Sequence, residues 1–502
     1  MLSLAARRGP DREAIVAGAR RVTFAELESR ANRLGNALLG LGLAQGDRVA
    51  LYMPNSIALV EAMAGVLKAG GIILPISTRL AGPEIRFMLE DAEPFALIYT
   101  ETLREAARHA TAGMADVRLM VAGDAETGEC ALDTLIVAAA DTLPKRAETG
   151  NDDAVLCYTS GTTGRPKGAI STQRNLVVNQ GWMNAVEWRL TPADRTLVAT
   201  PMAHRTGVAR IASSFCLGSA LVLQERFDPE EAVKLIAEER VSHIGVVPTI
   251  ARLLLPAIER APEACATLRT MLATGEAFPV ELKQRLFAAL PELGLHSFFS
   301  QTEGGTISNL RPEEQVERPD SCGLPFQGVE VRLVDAALDD VAPGEPGEVL
   351  VRCGEPGEIS VMREYFRRPE ENRAAFVDGW LRTGDVARRG EGGYLYFVDR
   401  LKDMIVSGGL NIYSREVEDA LMTHPGVLDA AVIGVPDAKF GEAVMAFIKT
   451  SEHQTLSEET LIEHCRQRIA SYKKPRHVRF VDEMPRNSTG KIAKHRLRDQ
   501  AG

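Results

Sequence analysis

The ten residues 159–168, Thr-Ser-Gly-Thr-Thr-Gly-Arg-Pro-Lys-Gly, limit what this chain can fold into more than any other segment. With three glycines, four hydroxyl side chains and one lysine, they cannot form a core strand or a core helix. Glycine lets backbone N–H groups turn toward an anion, hydroxyls donate hydrogen bonds, and lysine adds charge. The apolar residues 154–158 predict a buried strand directly before the segment. We predict a polyphosphate-binding loop at a sheet edge; a flexible polar loop is the alternative.

This loop does not follow the Walker pattern of P-loop nucleotidases. Gly164 is followed by Arg-Pro-Lys, whereas the Walker pattern places Lys and then Ser or Thr directly after its last glycine. A different kind of phosphate-binding loop is therefore favoured.

Hydrophobic patterning predicts alternating strands and helices through about residue 310. Thr23-Phe24-Ala25-Glu26 has the form of a capping box, and apolar residues follow it at helical spacing as far as Gly42. Residues 48–53 and 72–75 read as strands, with a helix over 57–67 between them. This rhythm is typical of a layered α/β domain with largely parallel sheets.

The pattern changes in the last third of the chain. Residues 330–334 and 348–352 alternate on a two-residue period around a Pro/Gly-rich turn, which predicts antiparallel strands in a small subdomain. The last hundred residues read as a separate module. Within it, residues 471–498 carry nine Lys or Arg against two acidic residues, so an anionic partner is expected there.

Four further motifs follow the loop in order: Ser-Gln-Thr-Glu at 300–303, Trp-Leu-Arg-Thr-Gly-Asp at 380–385, Asp-Arg-Leu-Lys-Asp at 399–403 with Ser-Gly-Gly at 407–409, and Pro-Arg-Asn-Ser-Thr-Gly-Lys at 485–491. Together the five resemble the signature motifs of the adenylate-forming superfamily. That superfamily contains acyl-CoA synthetases, luciferases and peptide-synthetase adenylation domains. The resemblance implies an α/β fold. A large multi-subdomain N-terminal domain of layered sheets and helices, with a small β subdomain, would span 1–399, and a small mobile α+β C-terminal domain would span 400–502.

The resemblance also implies a role for each motif. Lys491 is expected to be the catalytic lysine of acyl-adenylate formation, Glu303 the magnesium ligand assisted by Thr163, and His204 a gate between the acid and thiol sites. Lys402 falls at the expected hinge between the domains. The residues expected to bind ATP or CoA are Thr159, Ser160, Gly161, Thr162, Thr163, Gly164, Lys167, Phe299, Thr302, Asp385, Arg400, Gly408, Gly409 and Phe440, with Lys473, Lys474, Arg476 and Arg479 available for the CoA phosphates.

The implied activity is an ATP- and Mg²⁺-dependent acid–CoA ligase that releases AMP and pyrophosphate. Three alternatives stay open: adenylation followed by loading of a carrier-protein thiol, luciferase-type oxygenation, and a degenerate nucleotide-binding protein without catalysis. The basic C-terminal stretch favours CoA over oxygen chemistry, and Lys167, Glu303, Asp385 and Lys491 argue against a degenerate protein.

The acid substrate is the least constrained part of the hypothesis. Arg205 and Arg210 follow His204 in a segment that we expect to begin a helix lining the acid pocket, and both are unusual for the family. Because a buried unpaired guanidinium is costly, an inward-facing arginine must meet Glu276 or a carboxylate of the substrate. We expect one arginine to be paired within the protein and the acid to be a medium-sized, apolar or aromatic monocarboxylate.

Composition narrows the class of partner. A net charge of −10 over 502 residues argues against nucleic acid as a ligand. Seven scattered cysteines and the absence of a long apolar run predict a cytoplasmic protein without a transmembrane segment. The oligomeric state is open, a homodimer included.

Overall fold

The computed structural model describes residues 1–146, 150–159, 166–451, 456–486 and 491–501. These residues form two compact units. The first contains the described part of 1–331 and Val351–Leu381, and the second contains Arg332–Leu350 and the described part of 382–502. The predicted phosphate-loop residues Ser160, Gly161, Thr162, Thr163 and Gly164 lie outside the described residues.

The α-helices of the described chain are α1 (Leu2–Arg8), α2 (Phe24–Gly40), α3 (Ile57–Lys68), α4 (Gly82–Ala92), α5 (Arg104–Ala110), α6 (Leu132–Ala138), α7 (Asn184–Glu187), α8 (Arg205–Leu217), α9 (Pro229–Glu238), α10 (Pro248–Arg260), α11 (Val280–Ala289), α12 (Pro369–Ala375), α13 (Ser414–Met422), α14 (Glu458–Arg466) and α15 (Lys494–Ala501). A π-helix spans Asn175–Met183. Short 3₁₀ helices lie at Glu101–Leu103, Pro262–Cys265, Pro312–Glu314, Glu391–Gly393 and Leu401–Asp403.

The strands are β1 (Glu13–Ala17), β2 (Arg20–Thr23), β3 (Arg48–Tyr52), β4 (Ile72–Pro75), β5 (Ala96–Thr100), β6 (Arg118–Ala122), β7 (Glu129–Ala131), β8 (Asp153–Thr159), β9 (Lys167–Thr172), β10 (Arg195–Val198), β11 (Ala220–Leu223), β12 (His243–Val246), β13 (Thr270–Ala273), β14 (Gly294–Gln301), β15 (Gly305–Leu310), β16 (Leu324–Pro325), β17 (Glu330–Val334), β18 (Pro346–Arg352), β19 (Phe376–Val377), β20 (Trp380–Arg389), β21 (Leu395–Arg400), β22 (Ile405–Ser407), β23 (Leu410–Ile412), β24 (Val427–Asp437), β25 (Gly441–Thr450) and β26 (His477–Phe480).

Two large sheets form the framework of the first unit. The seven-stranded sheet has the order β7–β6–β5–β3–β4–β8–β9, and the nine-stranded sheet has the order β16–β15–β14–β13–β12–β10–β11–β1–β2. In the nine-stranded sheet, the neighbouring strands β14, β13, β12, β10, β11 and β1 run parallel. At the two ends of the sheet, β15, β16 and β2 pair antiparallel with their neighbours. The predicted layered α/β fold is therefore confirmed, and the carboxyl ends of β10, β12, β13 and β14 meet at one edge, where ligands bind in such sheets.

Local sequence signals set the first long helix. Thr23 Oγ1 accepts the Glu26 N–H at 3.2 Å, and the Glu26 carboxylate accepts the Thr23 N–H at 2.7 Å, so the predicted capping box is present. The apolar face of α2 is fully buried in a core that it shares with α3 and β3. The helix ends before Gly42, whose φ of +94° suits glycine.

The antiparallel strands predicted near 330 and 350 are β17 and β18. They belong to a five-stranded sheet with the order β17–β18–β20–β19, in which β21 also pairs with β20. The second unit contains a further sheet with the order β23–β22–β25–β24, and β26 lies parallel to β25. Helices α13 and α14 share a buried core with this sheet, which confirms a small α+β C-terminal module.

Candidate active site

In the first unit, Glu303 is the centre of a hydrogen-bonded cluster. Thr159, the last residue of β8, donates its hydroxyl to Glu303 Oε1 at 2.8 Å, and the hydroxyl of Tyr365 donates to the same oxygen at 3.0 Å. Both donors meet Oε1, and the other oxygen, Oε2, has no hydrogen-bond partner among the described residues. The carboxylate is thus oriented through one oxygen and leaves the second available.

Lys167 belongs to the same cluster. It pairs with Thr159 across the β8–β9 ladder, and its Nζ lies 4.3 Å from the centre of the Tyr365 ring. Burial, followed by the nearby Glu303 carboxylate, raises the pKa of Tyr365, so its hydroxyl stays protonated and donates. Of the predicted residues, Thr159, Lys167 and Glu303 are therefore together. Tyr365 is an addition that the sequence analysis missed, because a single tyrosine carries no motif of its own.

Arg205 supports the backbone that carries Glu303. Its guanidinium donates to the carbonyl of Gln301 at 2.6 Å, to that of Thr302 at 3.0 Å and to that of Ser360 at 3.1 Å. Burial lowers its pKa to about 10. The expectation that one arginine is paired within the protein is therefore met by Arg205. Glu276, one of the two partners considered for an inward arginine, is exposed, and neither Arg205 nor Arg210 contacts it among the described residues. Thr302 thus contributes its carbonyl to this support.

His204 is the residue before α8, and its carbonyl accepts the N–H groups of Gly207 and Val208. The approach to the helix is fixed by a buried asparagine, Asn55, whose amide donates to the carbonyl of Thr200 and accepts the N–H of Met202. Gly207 has to be a glycine, because a Cβ there would lie 2.3 Å from Met202 Cα. The predicted helix start is confirmed, and Asn55 was missed because its partners are about 145 residues away.

Phe299 lies near the carboxyl end of β14, next to a β-bulge between Phe299 and Ser300. Ser300 Oγ lies 2.9 Å from Thr274 Oγ1, and that hydroxyl donates to the carbonyl of Phe298. These bonds join the carboxyl ends of β13 and β14, so Phe299 and Glu303 leave the same sheet edge.

In the second unit, Asp385 and Arg400 face each other across the β20–β21 ladder. Arg400 Nε lies 3.4 Å from Asp385 Oδ1, and the Asp385 side chain is 4% exposed. The turn before Asp385 is fixed by Thr383, whose hydroxyl accepts the Asp385 N–H and donates to the carbonyl of Val349. Asp399, next to Arg400, accepts the hydroxyl of Ser414 at the start of α13. The two predicted nucleotide-binding residues therefore form an ion pair between two paired strands.

A second feature of this unit is a pocket of about 140 Å³. Its lining residues are Ser407, Gly408, Leu410, Phe440, Ser471, Tyr472, Lys474 and Arg476. Gly408 has a φ of +61°, and a Cβ there would lie 3.1 Å from the Phe440 ring, so a side chain would crowd the pocket. Gly409 follows with a φ of +80°.

Two of the four cations expected to meet the CoA phosphates line this pocket, and the other two are bound elsewhere. Arg476 stacks on the Phe440 ring at 4.1 Å and also pairs with Asp437 at 3.3 Å, and Lys474 lines the pocket beside it. Lys473 is paired with Glu416 at 2.7 Å, and Arg479 donates to the carbonyl of Gln500.

Lys491 is partly buried and directly precedes Ile492, which forms a bridge with Arg486. Ala493 N–H donates to the carbonyl of Pro485 at 2.7 Å. Lys494, at the start of α15, pairs with Glu418 at 2.7 Å. The backbone directly after Lys491 is thus fastened by hydrogen bonds and an ion pair.

The comparisons with known proteins agree with this arrangement. Residues 2–366 match the family model described as AMP-binding enzyme, and residues 416–491 match that of its C-terminal domain. This chain belongs to the AMP-binding enzyme family.

Its relatives place it in the acyl-CoA ligase branch of that family. It is 36% identical to a long-chain-fatty-acid–CoA ligase of Mycobacterium tuberculosis, over 96% of this chain and 93% of the relative. It is also 36% identical to a feruloyl-CoA synthase of Amycolatopsis, over 99% of this chain and 97% of the relative. The o-succinylbenzoate CoA synthetase of Bacillus subtilis, solved with its acyl-adenylate intermediate, superposes with a TM-score of 0.87 at 30% identity, over 100% of this chain and 97% of that one. The same enzyme solved with ATP and magnesium gives 0.85 at 30% identity, over 99% and 98%.

Proposed function

We propose that the residues described above carry out the two half-reactions of an ATP-dependent acid–CoA ligase. In the first, an oxygen of the acid's carboxylate attacks the α-phosphorus of ATP, and the bond to pyrophosphate breaks, which gives an acyl-adenylate. In the second, the thiol of CoA attacks the acyl carbon, loses its proton, and displaces AMP. Adenylation turns a poor electrophile into a good one, because AMP is a far better leaving group than oxide.

The observation that carries this proposal is the geometry of Glu303. Two neutral hydroxyls donate to Oε1, while Oε2 has no partner in the described part of the chain. An oriented carboxylate with one available oxygen fits Mg²⁺, which prefers oxygen ligands and binds through one or two carboxylates plus substrate phosphates. When bound, the ion would neutralise charge on the phosphates of ATP. The Bacillus subtilis relative solved with ATP and a magnesium ion supports this assignment. Thr163, the other proposed ligand, lies outside the described residues.

The cationic residues then have separate tasks. Lys167, beside Glu303, would hold the β- and γ-phosphates, and Lys491 would bridge the α-phosphate and the acid during adenylation. Asp385 would accept the ribose hydroxyls, since an ionised carboxylate with two oxygens suits a diol. Arg400, 3.4 Å from that carboxylate, would orient it.

For the second half-reaction, we propose that CoA uses the pocket at Gly408. The two glycines leave a narrow channel suited to pantetheine, Phe440 offers a face for the nucleotide, and Lys474 and Arg476 supply positive charge for its phosphates. His204 remains the proposed gate between acid and thiol.

We also propose that the chain divides functionally into residues 1–399 and 400–502, with a hinge between them at Lys402. A cytoplasmic location is proposed as well. No helix within the described residues combines the length and apolar character needed to cross a bilayer. The acids named for the relatives range from long-chain fatty acids to ferulate and succinylbenzoate, so they do not fix the acid used here.

The test is AMP formation by mass spectrometry with a panel of acids, with and without CoA. We expect acyl-adenylate without CoA, and acyl-CoA plus AMP with it. Glu303→Gln should lower AMP formation by roughly 10²-fold or more, whereas Glu292→Gln, a change at an exposed glutamate, should have no effect. Adenylate that never passes to CoA would refute the ligase assignment and favour carrier-protein loading.

A further inference from the structure

Arg210 is a buried cation that forms no ion pair with a carboxylate of the described chain. It lies on α8, six positions after His204, and is 6% exposed. Its guanidinium stacks 4.7 Å from the centre of the Trp188 ring. Among the described residues it donates no hydrogen bond and meets no carboxylate, and its Nη1 is buried without a partner. Stacking occupies the face of the guanidinium but leaves its N–H edges unsatisfied, which is costly in a protein interior.

The carboxylates of this region are already used by other arginines. Asp194 accepts from Arg269 at 2.6 and 2.7 Å. Glu187, the residue before Trp188, accepts from Arg311 at 2.7 and 3.0 Å. Neither is within ion-pair distance of Arg210, so no carboxylate in the described part of the chain compensates its charge.

The histidine that interacts electrostatically with Arg210 is neutral. Burial lowers the pKa of His243 to about 4, so its ring is uncharged at neutral pH and supplies no anion. Gly245, on β12, lies directly against the guanidinium, since a Cβ there would collide with Arg210 Nε at 2.9 Å. The chain thus makes room for the arginine without pairing it.

Further unsatisfied polar groups lie on the element that packs against α8. Ser213, one turn after Arg210, donates its hydroxyl to the carbonyl of Gln180 in the π-helix. In that π-helix the side-chain amides of Asn179 and Gln180 are buried and contain atoms without partners. A π-helix is itself a common feature of functional sites. Several buried donors therefore lack an acceptor in the same region as the arginine.

We propose that Arg210 is a specificity residue that binds a second anionic group on the acid substrate, so that the preferred substrate is a dicarboxylic acid. This inference rests on the proposed ligase function. It departs from the monocarboxylate expected from the sequence, because Arg205 is the arginine paired within the protein and Arg210 is left without an ion-pair partner among the described residues. Six residues of helix separate Arg210 from His204 by about 9 Å. Acids with a short or medium spacer between their two carboxylates are therefore the first candidates.

The experiment compares acids that differ only in the second charge. The pairs are hexanoate with adipate, octanoate with suberate, and 3-phenylpropanoate with its para-carboxy derivative. For each we measure kcat/KM of AMP formation in the wild type, in Arg210→Met and in Arg252→Met, an exposed arginine on α10. We expect the wild type and Arg252→Met to prefer the diacid. Arg210→Met should lose roughly 10²-fold on the diacid and little on the monoacid.

Two outcomes overturn the proposal: a wild-type preference for the monoacid in every pair, or an equal loss on both members of a pair in Arg210→Met. A binding measurement separates this failure from failure of the ligase function. If no acid yields AMP, the ligase function fails, and the melting temperature with each acid still decides the role of Arg210. The proposal is supported if the diacid raises the melting temperature of the wild type but not that of Arg210→Met. It is overturned if diacid and monoacid change the melting temperature equally.

Discussion

Tyr365 donates its hydroxyl to Oε1 of Glu303 at 3.0 Å, across 62 positions of the chain. The same ring lies beneath the ammonium group of Lys167. One tyrosine therefore orients both the proposed magnesium ligand and a proposed phosphate ligand.

Replacing Tyr365 with Phe tests this positioning role. Phe keeps the ring under Lys167 but removes the donor, so we expect kcat/KM for AMP formation to fall roughly ten- to a hundredfold. The loss should appear mainly as a higher magnesium requirement. Tyr158→Phe is the matched control, because its hydroxyl donates to Asp91 rather than to Glu303. A magnesium titration that is the same in both variants would show that Tyr365 does not orient the metal ligand.

Lys491 and the pocket cations should separate the two half-reactions. In Lys491→Ala, adenylate formation should fall by roughly 10²–10³-fold, because one charged donor to the transition state is lost. Conversion of supplied acyl-adenylate and CoA to acyl-CoA should persist. The measurement is single-turnover mass spectrometry of each step, and equal damage to both would contradict the assignment.

Lys474→Ala and Arg476→Ala should give the opposite result. Each removes a cation from the proposed CoA pocket, so the KM for CoA should rise about tenfold while adenylation is unchanged. Lys473→Ala is the control, since that lysine is occupied by Glu416. If Lys473→Ala raises the KM for CoA as much as the other two, the cations act through the general positive potential and not through the pocket.

Local signals predicted much of the fold, and distant contacts account for what was missed. The capping box at Thr23 and the alternation at 330–334 are read from neighbouring residues, and both are present. Tyr365, Asn55 and the three carbonyls held by Arg205 come from distant parts of the chain, so no periodicity reveals them. The alternative that an arginine meets Glu276 failed for the same reason. Glu276 is distant from Arg205 and Arg210 in the chain, and only the fold decides that it faces solvent.

Arg205 and Arg210 should respond oppositely to the same substitution. Arg205→Met leaves three carbonyls without their donor, so we expect a loss of about 2 kcal/mol or more in the free energy of unfolding. Arg210→Met removes a buried charge without an ion-pair partner, whose pKa burial lowers to about 10. Even with the contact to Trp188 lost, we expect the free energy of unfolding to rise by about 1–2 kcal/mol. Urea denaturation without substrate measures the free energy of unfolding of both variants. If Arg210→Met lowers it, the arginine is mainly structural.

The buried histidines predict a loss of stability in mild acid. His243 and His296 are buried and neutral, each with its pKa lowered from 6.5 to about 4. Between those values the unfolded chain binds protons that the folded chain does not, so the free energy of unfolding falls as the pH decreases from 6.5 to 4. The loss approaches roughly 3 kcal/mol per histidine at pH 4.

The variant His296→Asn tests this dependence. Its amide oxygen can accept the hydrogen bond from Asn309 as the ring nitrogen does, so we expect the free energy of unfolding to change less with pH. His495→Asn, at an exposed position, should leave the pH dependence unchanged. Tryptophan fluorescence during urea unfolding reports the right part of the molecule, because Trp182, Trp188 and Trp380 share the first unit with both histidines. An unchanged slope in His296→Asn would show that other groups govern the acid response.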